Sequence, residues 1–164
     1  MPDRPEADPT LEIVPCTPAH YEVFRRLNYE WIDRYFGVET VDRDMLDAPQ
    51  AILDHGGHIL VALLGGRPVG VCALVREGEG LFELAKMAVE GDARGRGIGL
   101  ALGQAAIATA RAAGGSRLVL QSNTVLAPAI ALYRKLGFVE VHDAPSLYAR
   151  SNIHMELRLV ACPR

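Results

Sequence analysis

The stretch from Leu81 to Ser122 constrains the fold of this chain more than any other. Leu81 to Val89 reads as a strand, and Arg117 to Ser122 reads as a short buried strand. Between them, Gly97 to Ala113 is dominated by Ala, Leu and Ile and is followed by Gly114-Gly115, the pattern of a strong helix with a glycine stop. Two strands joined through a helix imply a parallel crossover, because a tight turn can only return the chain antiparallel.

The flanking segments extend this unit into one α/β domain. Leu11 to Val14 is a first strand, and Thr17-Pro18 opens a helix on which Tyr21, Phe24, Leu27, Asn28, Trp31 and Tyr35 recur at spacings of three and four until Gly37. Asp42 to His55 reads as one or two short helices interrupted at Pro49. His58 to Leu64 and Pro68 to Val75 form a hairpin around Gly65-Gly66, with Leu81 to Val89 as the third strand of a meander. Ala127 to Leu136 is a second strong helix, Phe138 to His142 a strand and Ile153 to Val160 the last strand. The expected fold is a mixed central sheet of about seven strands with about four helices, over residues 11–160, preceded by a loose lead-in at 1–10.

Composition narrows the class. A chain of 164 residues that is 49% hydrophobic fills one domain with a full core. A net charge of -3 without a basic block argues against nucleic acid as partner. Met1 to Thr10 carries three prolines and four charges, so no signal or membrane segment is read there, and a cytoplasmic location is expected. The three cysteines, Cys16, Cys72 and Cys162, offer neither a disulfide framework nor zinc spacing, and the five histidines have no ligand partners at metal spacing. No metal is expected.

The sharpest motif is Arg94-Gly95-Arg96-Gly97-Ile98-Gly99, at the junction of a strand and a helix. Glycines there permit positive φ and close approach, while the unpaired N–H groups of the first helical turn and the helix dipole point into the loop. Such a turn is an anion cradle, most naturally for a diphosphate. A dinucleotide fingerprint fails, since its third glycine would fall on Leu100 or Leu102, and the P-loop fails because no Gly-Lys-Ser or Gly-Lys-Thr occurs.

The same residues resemble the acetyl-CoA motif of the GNAT superfamily of N-acetyltransferases, which reads Arg or Gln, two residues, Gly, one residue, Gly or Ala; Arg94, Gly97 and Gly99 match. The match continues on both sides, from Glu83-Leu84-Ala85-Lys86-Met87-Ala88-Val89 to Ala127-Pro128-Ala129-Ile130-Ala131-Leu132-Tyr133-Arg134-Lys135-Leu136-Gly137-Phe138. This resemblance implies a single GNAT fold with two splayed parallel strands and acetyl-CoA lying between them. It implies main-chain contacts from Met87 and Val89 to the pantetheine arm, and a diphosphate held by Arg94, Gly95, Arg96, Gly97, Ile98, Gly99 and Leu100. Many relatives carry asparagine where this chain has Leu126. Asn123, one helical turn earlier, either replaces that pantetheine contact or caps the helix entry. Arg134 and Lys135 either reach the 3′-phosphate or form a solvated helix face.

Acetyl transfer to an amine sets chemical demands. An amine of pKa about 10.4 is only about 0.04% neutral at pH 7, so a base or relaying water is needed. Glu83, eleven residues before Arg94, matches the glutamate base of some family members, with strand alternation expected to put it on one face with Ala85 and Met87; a solvated or arginine-paired glutamate is the alternative. The Val89 N–H is the expected oxyanion donor. Tyr133, four residues before Gly137-Phe138, is the implied acid that protonates the departing thiolate, or else a packed tyrosine. For the acceptor, Trp31, Tyr35 and Phe36 read as an aromatic wall or as core, and Tyr148, Arg150, Ser151 and Asn152 as acceptor contacts or a polar turn. Arg150 would suit an acidic acceptor, whereas Glu30, Asp33 and Glu39 would draw a cationic amine. The expected activity is direct attack by a primary amine of a small molecule or peptide in a ternary complex. A non-catalytic acyl-CoA-binding module is the competing reading, and edge-strand pairing into a homodimer is a further implication of the family.

Overall fold

The computed structural model describes residues 9–142 and 144–159. Its elements are β1 (Leu11–Pro15), α1 (Tyr21–Tyr35), α2 (Thr40–Leu46), α3 (Pro49–Asp54), β2 (His58–Leu64), β3 (Arg67–Gly78), β4 (Leu81–Val89), α4 (Ile98–Ala112), β5 (Arg117–Ser122), α5 (Ala127–Leu136), β6 (Val139–Val141) and β7 (Ile153–Arg158). The seven strands form one sheet in the order β1-β2-β3-β4-β5-β7-β6. Every neighbouring pair is antiparallel except β4 and β5, which are parallel and joined through α4.

Five helices form where about four were expected. Pro49 divides the 42–55 stretch: proline fits the first turn of α3 but cannot continue α2. The β3 strand runs three residues beyond the expected end at Val75, because Arg76 pairs with Phe82 and Gly78 with Leu81. The β6 strand is the shorter Val139–Val141, and β7 ends at Arg158; Val160 and Cys162 lie outside the described residues. Among the described residues no helix is long and apolar enough to cross a membrane.

Strand alternation builds a separate core on each face of the sheet. In β2, Leu60 and Ala62 join Ile98, Leu102 and Ala106 of α4, whereas Ile59 and Val61 join Phe24, Leu27 and Ile32 of α1. Fully burying a side chain such as Phe24 contributes roughly 1.5–3 kcal/mol. On the first face, Gly99 and Gly103 let α5 approach α4 closely, since a Cβ at either position would press on Leu132 or Leu136.

Two departures from regular pairing shape what lies between β4 and β5. The pair is in register only at Leu81↔Arg117, Phe82↔Leu118 and Glu83↔Val119, so beyond Glu83 the strands separate. On the other edge of β4, pairing with β3 passes from Ala85↔Ala73 to Ala88↔Val71, leaving Lys86 and Met87 opposite the single residue Cys72. This is a one-residue β-bulge, and Lys86 takes the left-handed φ of 53° that it requires. Asn28 of α1, fully buried, donates from Nδ2 to the carbonyls of Phe24 (2.9 Å) and Lys86 (3.1 Å), tying the bulge to the helix.

Candidate active site

The gap between the splayed strands is a cavity of about 360 Å³, lined by β4 from Glu83 to Val89, by Arg94, by the end of β5, by α5 and by the α1 end and the 148–151 turn. At one end Arg94 leads into the glycine turn. Gly95 and Gly97 hold φ of 79° and 75°, and a Cβ on either would meet no protein atom within 4 Å, so their faces are open. The first helical bond of α4 runs from the Ala101 N–H to the Gly97 carbonyl at 3.0 Å, which leaves the N–H groups of Ile98, Gly99 and Leu100 without helical partners. Arg94 lines the cavity, and Arg96 is exposed beside it.

The β4 edge facing β5 follows from one hydrogen bond. The Glu90 N–H donates to the Val69 carbonyl at 2.7 Å on the β3 side, so strand alternation turns the Val89 and Met87 main-chain groups the other way, toward the gap. Their side chains pack on the α4 core. This corrects one expectation: Met87 does not share a face with Glu83. The bulge inserts a residue between Ala85 and Ala88, which reverses the alternation and turns Lys86 instead toward the α1 and α2 side.

The opposite end of the cavity is crowded with charge. Glu83 is only 4% exposed, and burial, followed by the negative charge and hydrogen bond of Glu77, raises its carboxyl to about 7 against the opposing pull of Lys86 and Gln121. Lys86 donates to Asp42, and Arg150 grips the same carboxylate with two bonds of 2.7 Å. Arg150 also reaches Glu39 at 3.0 Å, and the second oxygen of Glu39 accepts the Ala149 N–H. Burial pushes the Asp42 carboxyl up, but the Arg150 and Lys86 hydrogen bonds outweigh it and hold the group at about 2. Desolvation lowers the Lys86 ammonium despite Asp42. The Tyr148 ring is in cation–π contact with both cations, with Lys86 Nζ 4.6 Å and Arg150 Cζ 4.5 Å from its centroid. The sequence alone assigns no role to Asp42 or Lys86, and it places Asn28 only in the helical pattern of the 21–35 stretch.

The remaining expected residues fall as follows. Tyr133 of α5 lines the cavity with its ring edge-on to Phe138 at 6.0 Å, and burial, then the neighbouring Cys72, raises its hydroxyl to about 12. Trp31, Tyr35 and Phe36 line the acceptor end, where Trp31 also donates to Asn28 Oδ1 at 3.2 Å. Asn123 uses its side chain locally, donating to the Arg150 carbonyl at 2.7 Å and accepting the Val125 N–H at 2.9 Å; it does not cap α5, whose N-cap position is Leu126 without a side-chain cap bond. Residues 148–151 do close a turn, with Ser151 N–H to the Tyr148 carbonyl at 3.2 Å, and Tyr148, Arg150 and Ser151 line the cavity as well, whereas Asn152 spends its side chain on Thr124. Arg134 and Lys135 are exposed. Among the described residues no group of three or more His, Cys, Asp and Glu is placed to hold a metal.

The family model for the acetyltransferase (GNAT) family matches residues 25–138. The chain belongs to the GNAT acetyltransferase family. It is 38% identical over 114 residues to an IAA acetyltransferase of Azospirillum brasilense, covering 68% of this chain and 74% of that protein. A GNAT acetyltransferase structure from Staphylococcus aureus superposes with a TM-score of 0.82 at 21% identity, over 92% of this chain and all 100% of the other. A GNAT phosphinothricin acetyltransferase from Sinorhizobium meliloti, solved in complex with acetyl-CoA, superposes with a TM-score of 0.74 at 21% identity, over 92% of this chain and 89% of its own. The mixed sheet with its parallel, splayed β4 and β5 is thus the GNAT fold.

Proposed function

We propose that this enzyme transfers acetyl from acetyl-CoA to a primary amine by direct attack within a ternary complex. The observation that carries the reading is a single cavity that runs from Arg94, the residue that leads into the open glycine turn, to a buried carboxyl, Glu83, poised near neutrality. The N–H groups of Gly95 to Leu100 and the side chain of Arg94 would hold the diphosphate, and the Met87 and Val89 main chain the pantetheine arm.

The proton inventory is consistent with that assignment. Glu83 accepts a proton from the acceptor's ammonium, and the neutral amine forms the N–C bond to the thioester carbonyl. Negative charge gathered on the carbonyl oxygen is met by the Val89 N–H. The nitrogen, cationic once the N–C bond has formed, releases its remaining extra proton to solvent; as the C–S bond breaks, Tyr133 gives its proton to the sulfur and is reprotonated from solvent. The phenol is protonated at pH 7 because its hydroxyl is raised to about 12.

The test supplies acetyl-CoA with a panel of polyamines, amino acids, aminoglycosides and peptides while free thiol and N-acetyl product are followed together. Equal appearance of both supports the reading. Tight CoA binding without thiol release from any amine would instead assign a non-catalytic acyl-CoA-binding module.

A further inference from the structure

We infer that the acceptor is a primary amine carried on an aromatic or apolar group with no second charge, an inference that rests on the amine-acetylation reading above. Two features of the acceptor end lead there. The first is its wall: Trp31 and Phe36 meet edge-on at 6.3 Å and 85°, Tyr35 lies 6.3 Å from Phe36, and Tyr148 faces the same cavity. Tyr35 is 49% exposed, so part of this aromatic wall is left uncovered at the margin of the cavity. Uncovered apolar surface at the margin of a cavity suits an apolar ligand.

The second feature is the balance of charge. Of the cations that line this end, Lys86 and Arg150, both are matched, Lys86 by Asp42 and Arg150 by Asp42 and Glu39, while Arg34 stacks on the Tyr35 ring with its Cζ 5.5 Å from the centroid and does not line the cavity. Two cations facing two carboxylates sum to zero. An acceptor carboxylate would have to displace Asp42, whose side chain is wholly buried, or Glu39, which also fixes the Ala149 N–H. An acceptor's second ammonium would approach Lys86 and Arg150, whose carboxylates are already engaged, while Glu83 serves the reacting amine and Glu77 is held in its hydrogen bond to Glu83. A ring or alkyl group meets neither obstacle and stacks on the aromatic wall.

Trp31 is the only tryptophan of the chain, so its fluorescence reports occupancy of this end of the cavity independently of turnover. The enzyme is titrated with 2-phenylethylamine, aspartate or spermidine in the presence of CoA, and thiol release is measured for each with acetyl-CoA. Expected are a saturable Trp31 response to 2-phenylethylamine and a kcat/KM for it at least about tenfold above the other two. Tyr35→Ser should raise the KM for 2-phenylethylamine about five- to tenfold while CoA affinity stays within about twofold. Preferred turnover of aspartate or spermidine would overturn the inference and leave amine acetylation standing. A saturable response to 2-phenylethylamine with no thiol from any amine would overturn amine acetylation and leave the ligand class standing. Absence of a saturable response to 2-phenylethylamine would overturn the inference outright.

Discussion

Lys86 gives its ammonium to Asp42 and withholds it from Glu83, three residues earlier on the same strand. The bulge makes this partition: with its left-handed φ, Lys86 is turned toward α2, where Asp42 waits between it and Arg150. Glu83 therefore keeps a carboxyl near neutrality instead of one fixed in its ionised form.

Replacing Asp42 should undo that partition. In Asp42→Asn the Lys86 charge is left to Glu83, and the low-pH limb of kcat/KM is expected to move down by about 1 pH unit. Adding Lys86→Met should move it back up. A limb unchanged in Asp42→Asn would show that Lys86 has no influence on the base. Stability should fall by about 3–5 kcal/mol on urea denaturation, because two cations lose a buried partner. The wild-type contribution of Asp42 has a definite sign: its carboxyl is held below the usual range, so the stabilisation is present above about pH 4 and is lost as the pH falls toward 2.

Glu83 has the opposite linkage. Its carboxyl is raised, so ionising it weighs against the folded state once the pH exceeds the ordinary carboxylate value, and the penalty is fully developed above about 7. Glu83→Gln should consequently raise the melting temperature at pH 8 and leave it nearly unchanged at pH 4.5, with a gain on the order of 1–3 kcal/mol. Thiol release should drop about 10²- to 10⁴-fold. A variant that is both less active and less stable at pH 8 would contradict the assignment of a strained, desolvated base.

Removing the Tyr133 hydroxyl tests the acid. Tyr133→Phe should slow thiol release by about 10²-fold or more while CoA affinity, read by calorimetry, stays within about threefold. The ring contact to Phe138 survives the change, so folding should be little affected. Wild-type turnover would assign Tyr133 to packing alone.

At the glycine turn, Gly97→Ala adds one methyl group in open space but forces an L side chain to a φ of 75°. The backbone term is about 1–2 kcal/mol in stability. Because the methyl stands where the diphosphate would approach, CoA affinity should fall at least about tenfold, a larger effect than the strain alone produces in ligand-free stability. Undiminished affinity would remove this turn from the cofactor site.

Local pattern carried most of the fold. The spans of β2, β4, β5 and α5 follow directly from apolar runs, glycine stops and a proline at the first turn, because these signals act within a few residues. What stayed hidden depends on partners distant in the chain. No period in Glu83 to Val89 announces that two residues oppose one Cys72, since a bulge is a property of the pair of strands and not of either alone. Likewise Lys86 and Asp42 are separated by 44 residues, and each has an ordinary local reading. The aromatic trio at Trp31, Tyr35 and Phe36 showed helical spacing, which cannot distinguish a core stripe from a cavity wall. Only the docking of α1 across β4 separates the two.

The sheet's two cores assign different duties to its two sides. Leu102, Ala106 and Leu118 support the glycine turn from one face, whereas Phe24, Ile32 and Leu46 support the aromatic wall from the other. Selectivity for the acceptor is therefore open to remodelling through α1 and α2 while the grip on the acetyl donor is left intact. The exception is Asn28, which clamps the bulge from α1, so any redesign of that helix must keep this one amide where it is.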